Sequence, residues 1–156
     1  MYLKQSKKHW IINLIIPLIL LVSCHVMLIG AYDQVTDESI QKIQSEVSSL
    51  IVTIENNISA DDEDSNKYEN FKTTYNNLEG ELESIKIRCN ALPKYNIVIR
   101  QINSFDSTIH RLEDFHKLGI NKSDTANIRI IKETIELDFN NMVRLQNALK
   151  REKTGK

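Results

Sequence analysis

Residues 68–92 read YENFKTTYNNLEGELESIKIRCNAL. Their apolar positions, Tyr68, Phe71, Tyr75, Leu78, Leu82, Ile85, Cys89 and Leu92, follow one another in unbroken steps of 3-4-3-4-3-4-3. An α-helix turns once in about 3.6 residues, so these steps line the apolar side chains along one narrow seam. A strand alternates with period two and would scatter them over both faces. Pro93 then ends the helix, because it has no N–H to donate and pushes the residue before it out of helical conformation. A rival reading exists within the same stretch. Ser84-Ile85-Lys86-Ile87-Arg88-Cys89 alternates with period two, and Ile97-Val98-Ile99 is a β-branched run. A hairpin near 84–102 would then top a helical stalk with a small α+β head. The seam running unbroken to Leu92 favours the helix.

The same spacing recurs on both sides. Before it, Ile40, Ile43, Val47, Leu50, Ile54 and Ile58 form a seam, flanked by Val35 and Ile51. After it come Tyr95, Val98, Ile102, Phe105, Ile109, Leu112 and His116, closed by Gly119 in a position suited to a left-handed turn. The fourth seam is Ile128, Ile131, Ile135, Phe139, Met142, Leu145 and Leu149, with Ser123 or Asp124 as its cap. Four seams of similar length with short connections predict an all-α domain, an antiparallel four-helix bundle or a coiled-coil-like set of helices. With only four Gly and two Pro in 156 residues, a loop-rich β protein is excluded.

Farther toward the N-terminus the composition changes. Residues 11–32, IINLIIPLILLVSCHVMLIGAY, hold 17 apolar residues in 22 and no charge. As a helix they would reach about 33 Å, enough to cross a hydrocarbon core of about 30 Å. Lys4, Lys7 and Lys8 precede the stretch, and Asp33, Asp37 and Glu38 follow it. That asymmetry predicts a cytoplasmic N-terminus at 1–10, a transmembrane anchor at 11–32 and an extracytoplasmic domain at 33–156. The expected location is a bacterial inner membrane, crossed once. A competing reading rests on Leu21-Val22-Ser23-Cys24, which resembles a bacterial lipobox. Residues 1–23 would then be a cleaved signal peptide and Cys24 the lipidated first residue of the mature chain. Both readings tether 33–156 to a membrane from outside the cytoplasm.

Catalytic chemistry is thinly represented. Asp62, Asp64 and Asn66 begin a calcium-loop pattern, but Lys67 and Thr73 stand where Gly and Glu are needed. Glu113 and His116 give one Glu-x-x-His pair and no second copy, which argues against a di-metal carboxylate site. There is no phosphate-binding Gly-rich loop, CxxC pair or nucleophile elbow. Cys89 reads as a small buried hydrophobe on its seam. No cofactor, metal or catalytic residue is expected. Residues 33–156 carry 17 basic and 21 acidic side chains, a net charge of −4, which argues against nucleic-acid binding.

The sequence therefore predicts a non-enzymatic, membrane-anchored helical protein of an envelope assembly. Its partners would be membrane lipid and either itself or another envelope protein, met through helix–helix packing. Tyr68, Phe71, Tyr75 and Leu78 are the candidate interaction seam, with core packing as the competing role. Lys150, Arg151, Lys153 and Lys156, in a tail of four positive charges against one negative, are candidate contacts to lipid headgroups. The layout is similar to the extracytoplasmic helical sensor modules of bacterial chemoreceptors, though it carries one apolar stretch where those have two membrane spans. It is also similar, in topology and length, to single-pass envelope proteins of lysis, pilus, secretion and division machines. A small-ligand sensor module and a surface or periplasmic lipoprotein, such as an adhesin or exclusion factor, are the alternatives.

Overall fold

The computed structural model describes residues 29–154. Four helices account for most of them: α1 (Gln34–Ser59), α2 (Tyr68–Ala91), α3 (Asn96–Lys117) and α4 (Thr125–Thr154). A short 3-10 turn, Lys122–Asp124, leads into α4, and no strand occurs among the described residues. The hairpin alternative at 84–102 is thereby overturned. Ile87, which a strand would have buried beside Ile85 and Cys89, is 64% exposed, whereas Ile85 and Cys89 are buried. The helical period decided the outcome because it places all the large apolar side chains of α2 except Ile87 on one side.

Each helix packs against its neighbours in sequence, and α4 closes the ring against α1. Paired side chains give the direction. Lys42 meets Glu81 and Asp33 meets Arg88 between α1 and α2; Lys86 meets Asp106 at 2.9 Å and Tyr75 meets His116 at 3.0 Å between α2 and α3. The Phe105 and Phe139 rings pack at a tilt with centroids 4.5 Å apart, and Lys132 meets Glu55 at 2.9 Å. Along α1–α2 and α2–α3 one number rises as the other falls, and the same holds from Glu55–Lys132 to Tyr32–Lys150 beside α1 and α4; α3 and α4 are joined by a short turn, so neighbouring helices run antiparallel. Isolated helices of 22–30 residues with so many polar positions would be marginal in water, so burial of the four seams holds them together.

The ends of the helices have local causes. Asp33 caps α1, its carboxylate accepting from the Thr36 N–H at 2.9 Å and the Thr36 hydroxyl at 2.7 Å. At the other end Asp61 takes a left-handed conformation (φ 59°), and the N–H groups of Asp61 and Asp62 return to the carbonyls of Ile58 and Asn57. Gly119 (φ 91°) ends α3 as its position in the sequence predicted. Ahead of α4, Asn121 caps the short 3-10 turn; its side chain accepts from the Ser123 N–H at 2.8 Å. Asp124 returns the bond by accepting from the Asn121 N–H at 3.1 Å.

The expected seams are mostly buried; Tyr68, Leu92, Ile131 and Leu145 are only half-buried, and the flanking Val35 is exposed. On α4 the polar Gln146 turns inward instead and is 2% exposed. A straight helix of 3.6 residues per turn drifts away from a strict 3.5-residue seam, and toward the C-terminus of α4 the drift turns residue 146 inward. Neither amide atom of Gln146 has a hydrogen-bond partner among the described residues. A buried unpaired amide costs about 1–3 kcal/mol. Gln146→Leu is therefore expected to raise the unfolding free energy by about that amount in urea titration. A loss of stability would show that the amide is paired in the folded protein.

Candidate functional site

The two ends of the bundle hold its unusual chemistry. At one end, here the base, the chain arrives at Ile29, α2 turns into α3, and α4 finishes. At the other, the tip, α1 turns into α2 and α3 into α4.

The base is built around a segment with no regular structure, residues 29–33. The Gly30 N–H donates to the Lys94 carbonyl at 3.0 Å, and the Tyr95 hydroxyl donates to the Ala31 carbonyl at 2.8 Å. A Cβ on Gly30 would sit 2.3 Å from the Tyr95 ring and 2.7 Å from the Pro93 carbonyl oxygen, so only glycine fits this approach. Lys94 itself has φ 63°, a strained value for a side chain with a Cβ, and in that conformation its carbonyl meets Gly30. Two residues on, Asp33 accepts a two-pronged pair of bonds from Arg88, at 2.6 and 2.7 Å. The Arg88 guanidinium, helped by the bonds from Thr36, holds the Asp33 carboxyl well below the usual carboxylate range. The segment is thus fastened at three successive levels to the α2–α3 turn and α2. Burial pushes the Tyr95 hydroxyl up to about 12, so it stays a neutral donor at ordinary pH.

Cys89 lies beneath this network, fully buried, with its sulfur 3.8 Å from the Thr36 hydroxyl. Burial pushes the thiol up, away from the reactive thiolate. On the outer side, the ammonium groups of Lys150 and Lys153 lie 5.7 and 5.4 Å from the Tyr32 ring centroid, within cation–π range. The Tyr32 hydroxyl donates to Asp37 at 2.8 Å. Three of the four predicted lipid-contact residues, Lys150, Arg151 and Lys153, are exposed at this end. Lys156 lies outside the described residues, as do the basic 1–10 stretch, residues 11–28 of the expected anchor and Cys24. The last four residues expected in the anchor, Ile29–Tyr32, are described and are not helical. Among the described residues no helix is long and apolar enough to cross a membrane.

The tip is organised by His116. Its imidazole is 0% exposed and both nitrogens are engaged. Nε2 lies 2.7 Å from the Asn66 carbonyl, which can only accept, so Nε2 carries the proton. Nδ1 therefore accepts, from the Tyr75 hydroxyl at 3.0 Å. Phe71 and Tyr75 pack on the ring with centroids 4.8 and 5.7 Å away. Burial lowers the His116 pKa from its ordinary value and raises that of Tyr75, so both are neutral. Tyr68 sits at the rim, its hydroxyl donating to Glu113 at 2.7 Å and its ring under Lys117 at 5.4 Å. Of the candidate interaction seam, then, Phe71, Tyr75 and Leu78 are enclosed by this chain's own helices, and only Tyr68 keeps exposed surface. Glu113 turns to Tyr68 and Lys117 rather than to His116. Among the described residues no three His, Cys, Asp or Glu side chains gather as a metal site would require.

The base network was hidden from sequence reasoning. Asp33, Arg88 and Tyr95 look like ordinary surface and seam residues, and their meeting depends on antiparallel packing. Gly30 was the available signal: a glycine at the end of a bulky apolar run. Comparison with family models, with curated proteins and with solved structures finds no match for this chain.

Proposed function

We propose that the protein is a non-enzymatic, membrane-anchored helical module of a bacterial cell envelope, an accessory or structural component that works by helix–helix association. One observation carries the reading: the arriving chain and the end of α4 meet at the base, immediately after the apolar stretch. α1, 26 residues long, places the tip about 39 Å away. An uncharged, membrane-compatible segment at one end and a helical body reaching outward at the other suit a protein that holds or meets a partner at a set height above a bilayer. Much of the bundle surface is charged, while Ile130 and Leu137, one heptad apart on α4, are exposed and give a partner helix an apolar line to meet.

The test is crosslinking and size measurement of the protein extracted in mild detergent. The expected result is a self-associated species or a defined copurifying envelope protein. A strict monomer with no partner would overturn the proposal.

One observation favours a small-ligand sensor as the second reading. A groove of about 400 Å³ runs between α1 and α4, with Ile51, Val52, Ile135 and Phe139 among its walls and Lys132 and Glu136 at its edge.

A further inference from the structure

We infer that the base of the bundle is a membrane-docking face whose occupant is a lipid surface with anionic headgroups, met by Lys150, Arg151 and Lys153. The inference rests on the membrane-anchored reading and deepens it, turning a tethered domain into one seated on the bilayer in a fixed orientation.

Three observations lead there. The first is the fastening of residues 29–33. A flexible tether would leave the bundle free to tumble above the membrane. Here the bonds from Gly30 to Lys94, from Tyr95 to Ala31 and between Asp33 and Arg88 leave no slack between residue 30 and the start of α1. The glycine-only approach and the left-handed Lys94 show that the chain accepts local strain to make this junction.

The second is where the chain outside the described residues ends. If 11–28 crosses the bilayer, its last residue precedes Ile29 directly. If Cys24 carries the lipid instead, it stands five positions before Ile29. Five residues reach at most about 18 Å when fully extended. Either way the base lies within reach of the headgroups, so the inference does not depend on which anchor operates.

The third is charge and chemistry. Lys150, Arg151 and Lys153 come from the last turns of α4, and all three are exposed. Of the carboxylates that share this end, Asp33 is paired with Arg88, and Asp37 accepts from the neutral Tyr32 hydroxyl and keeps its charge. Glu38 and Glu152 are exposed, so the three cations of α4 stand beside one carboxylate of their own last turns. Tyr32, with an apolar body and a polar tip, is the residue type that favours the headgroup layer. A solvated, frayed helix end would explain the lysines alone, but not the fastening beside them.

Amine-reactive labelling of the full chain, read by mass spectrometry, tests the idea. The protein is reconstituted into vesicles of phosphatidylcholine alone and into vesicles containing phosphatidylglycerol. Flotation first shows whether it is membrane-bound. The expected result is flotation with both, and labelling of Lys150 and Lys153 that falls roughly fivefold or more in the anionic vesicles. Labelling of the tip residues Lys67 and Lys122 should stay constant, and high salt should restore the basal labelling. Flotation with equal basal labelling in both lipids would overturn docking while leaving the anchor standing. Protection that appears in both lipids and grows with protein density would assign the face to a second copy of the chain, and also overturns it. Failure to float with either lipid would remove the anchored reading and this inference together.

Discussion

His116→Ala is expected to destabilise the protein by about 3–5 kcal/mol, measured by urea unfolding. The loss has two parts. Removing a fully buried ring leaves a cavity among Phe71, Tyr75 and Tyr68. It also leaves the Tyr75 hydroxyl and the Asn66 carbonyl without the imidazole that joins them, in a place with little water to replace it. The same group predicts an acid response with a defined sign. The folded pKa of His116 lies below the unfolded value of 6.5, because burial disfavours the cation. The unfolded chain therefore binds the proton first, and stability falls as pH drops below about 6.5. The loss can reach about 1.4 kcal/mol per pH unit for one proton. Asp33 acts lower down: its folded pKa lies below the unfolded 3.8, so its contribution persists until the pH nears that value. Stability measured between pH 7 and 5 should decline for the native protein and stay nearly flat for His116→Phe. Equal slopes in the two proteins would show that another group is responsible.

Leu78→Ala is expected to cost about 3–5 kcal/mol, with an unchanged dependence on denaturant. Leu78 is 0% exposed, at the centre of the strongest seam in the sequence. Packing density in such a layer leaves little room for collapse, so most of the vacated volume persists as a cavity. The measurement separates the two roles open to the Tyr68–Leu78 seam. A large loss of stability with unaltered self-association makes it the core of each molecule. Stability close to that of the native protein, with association lost, would place the seam between molecules instead.

The helices and their seams were legible because a 3-4 spacing survives any choice of partner: it depends only on the turn of one helix and on which residues avoid water. Tertiary pairings were not legible in the same way. Nothing local marks Asp33 and Arg88 as partners, since they lie 55 positions apart and meet only when α1 and α2 lie side by side in one register. Gln146 was missed because a heptad template is slightly shorter in period than the helix, and the error accumulates along 30 residues of α4. The 3-10 turn ahead of α4 was not legible because Asn121, Ser123 and Asp124 are all competent caps, and only the reciprocal bonds of Asn121 and Asp124 fix where the turn begins. His116 falls on a predicted seam, but its tautomer depends on a carbonyl in the distant 60–67 loop, which periodicity cannot supply.

The groove between α1 and α4 has a kinetic meaning as well. Three of the four helix interfaces join consecutive helices across short turns. Each of these can form while the rest of the chain is still open, at a modest entropic cost. The α1–α4 interface alone requires ends separated by the whole domain to find each other, so it is the natural last closure in folding and the first seam to part when the molecule loosens. That same closure brings Lys150 and Lys153 over Tyr32. Residues 29–33 and the end of α4 therefore become one surface only in a chain that has finished folding.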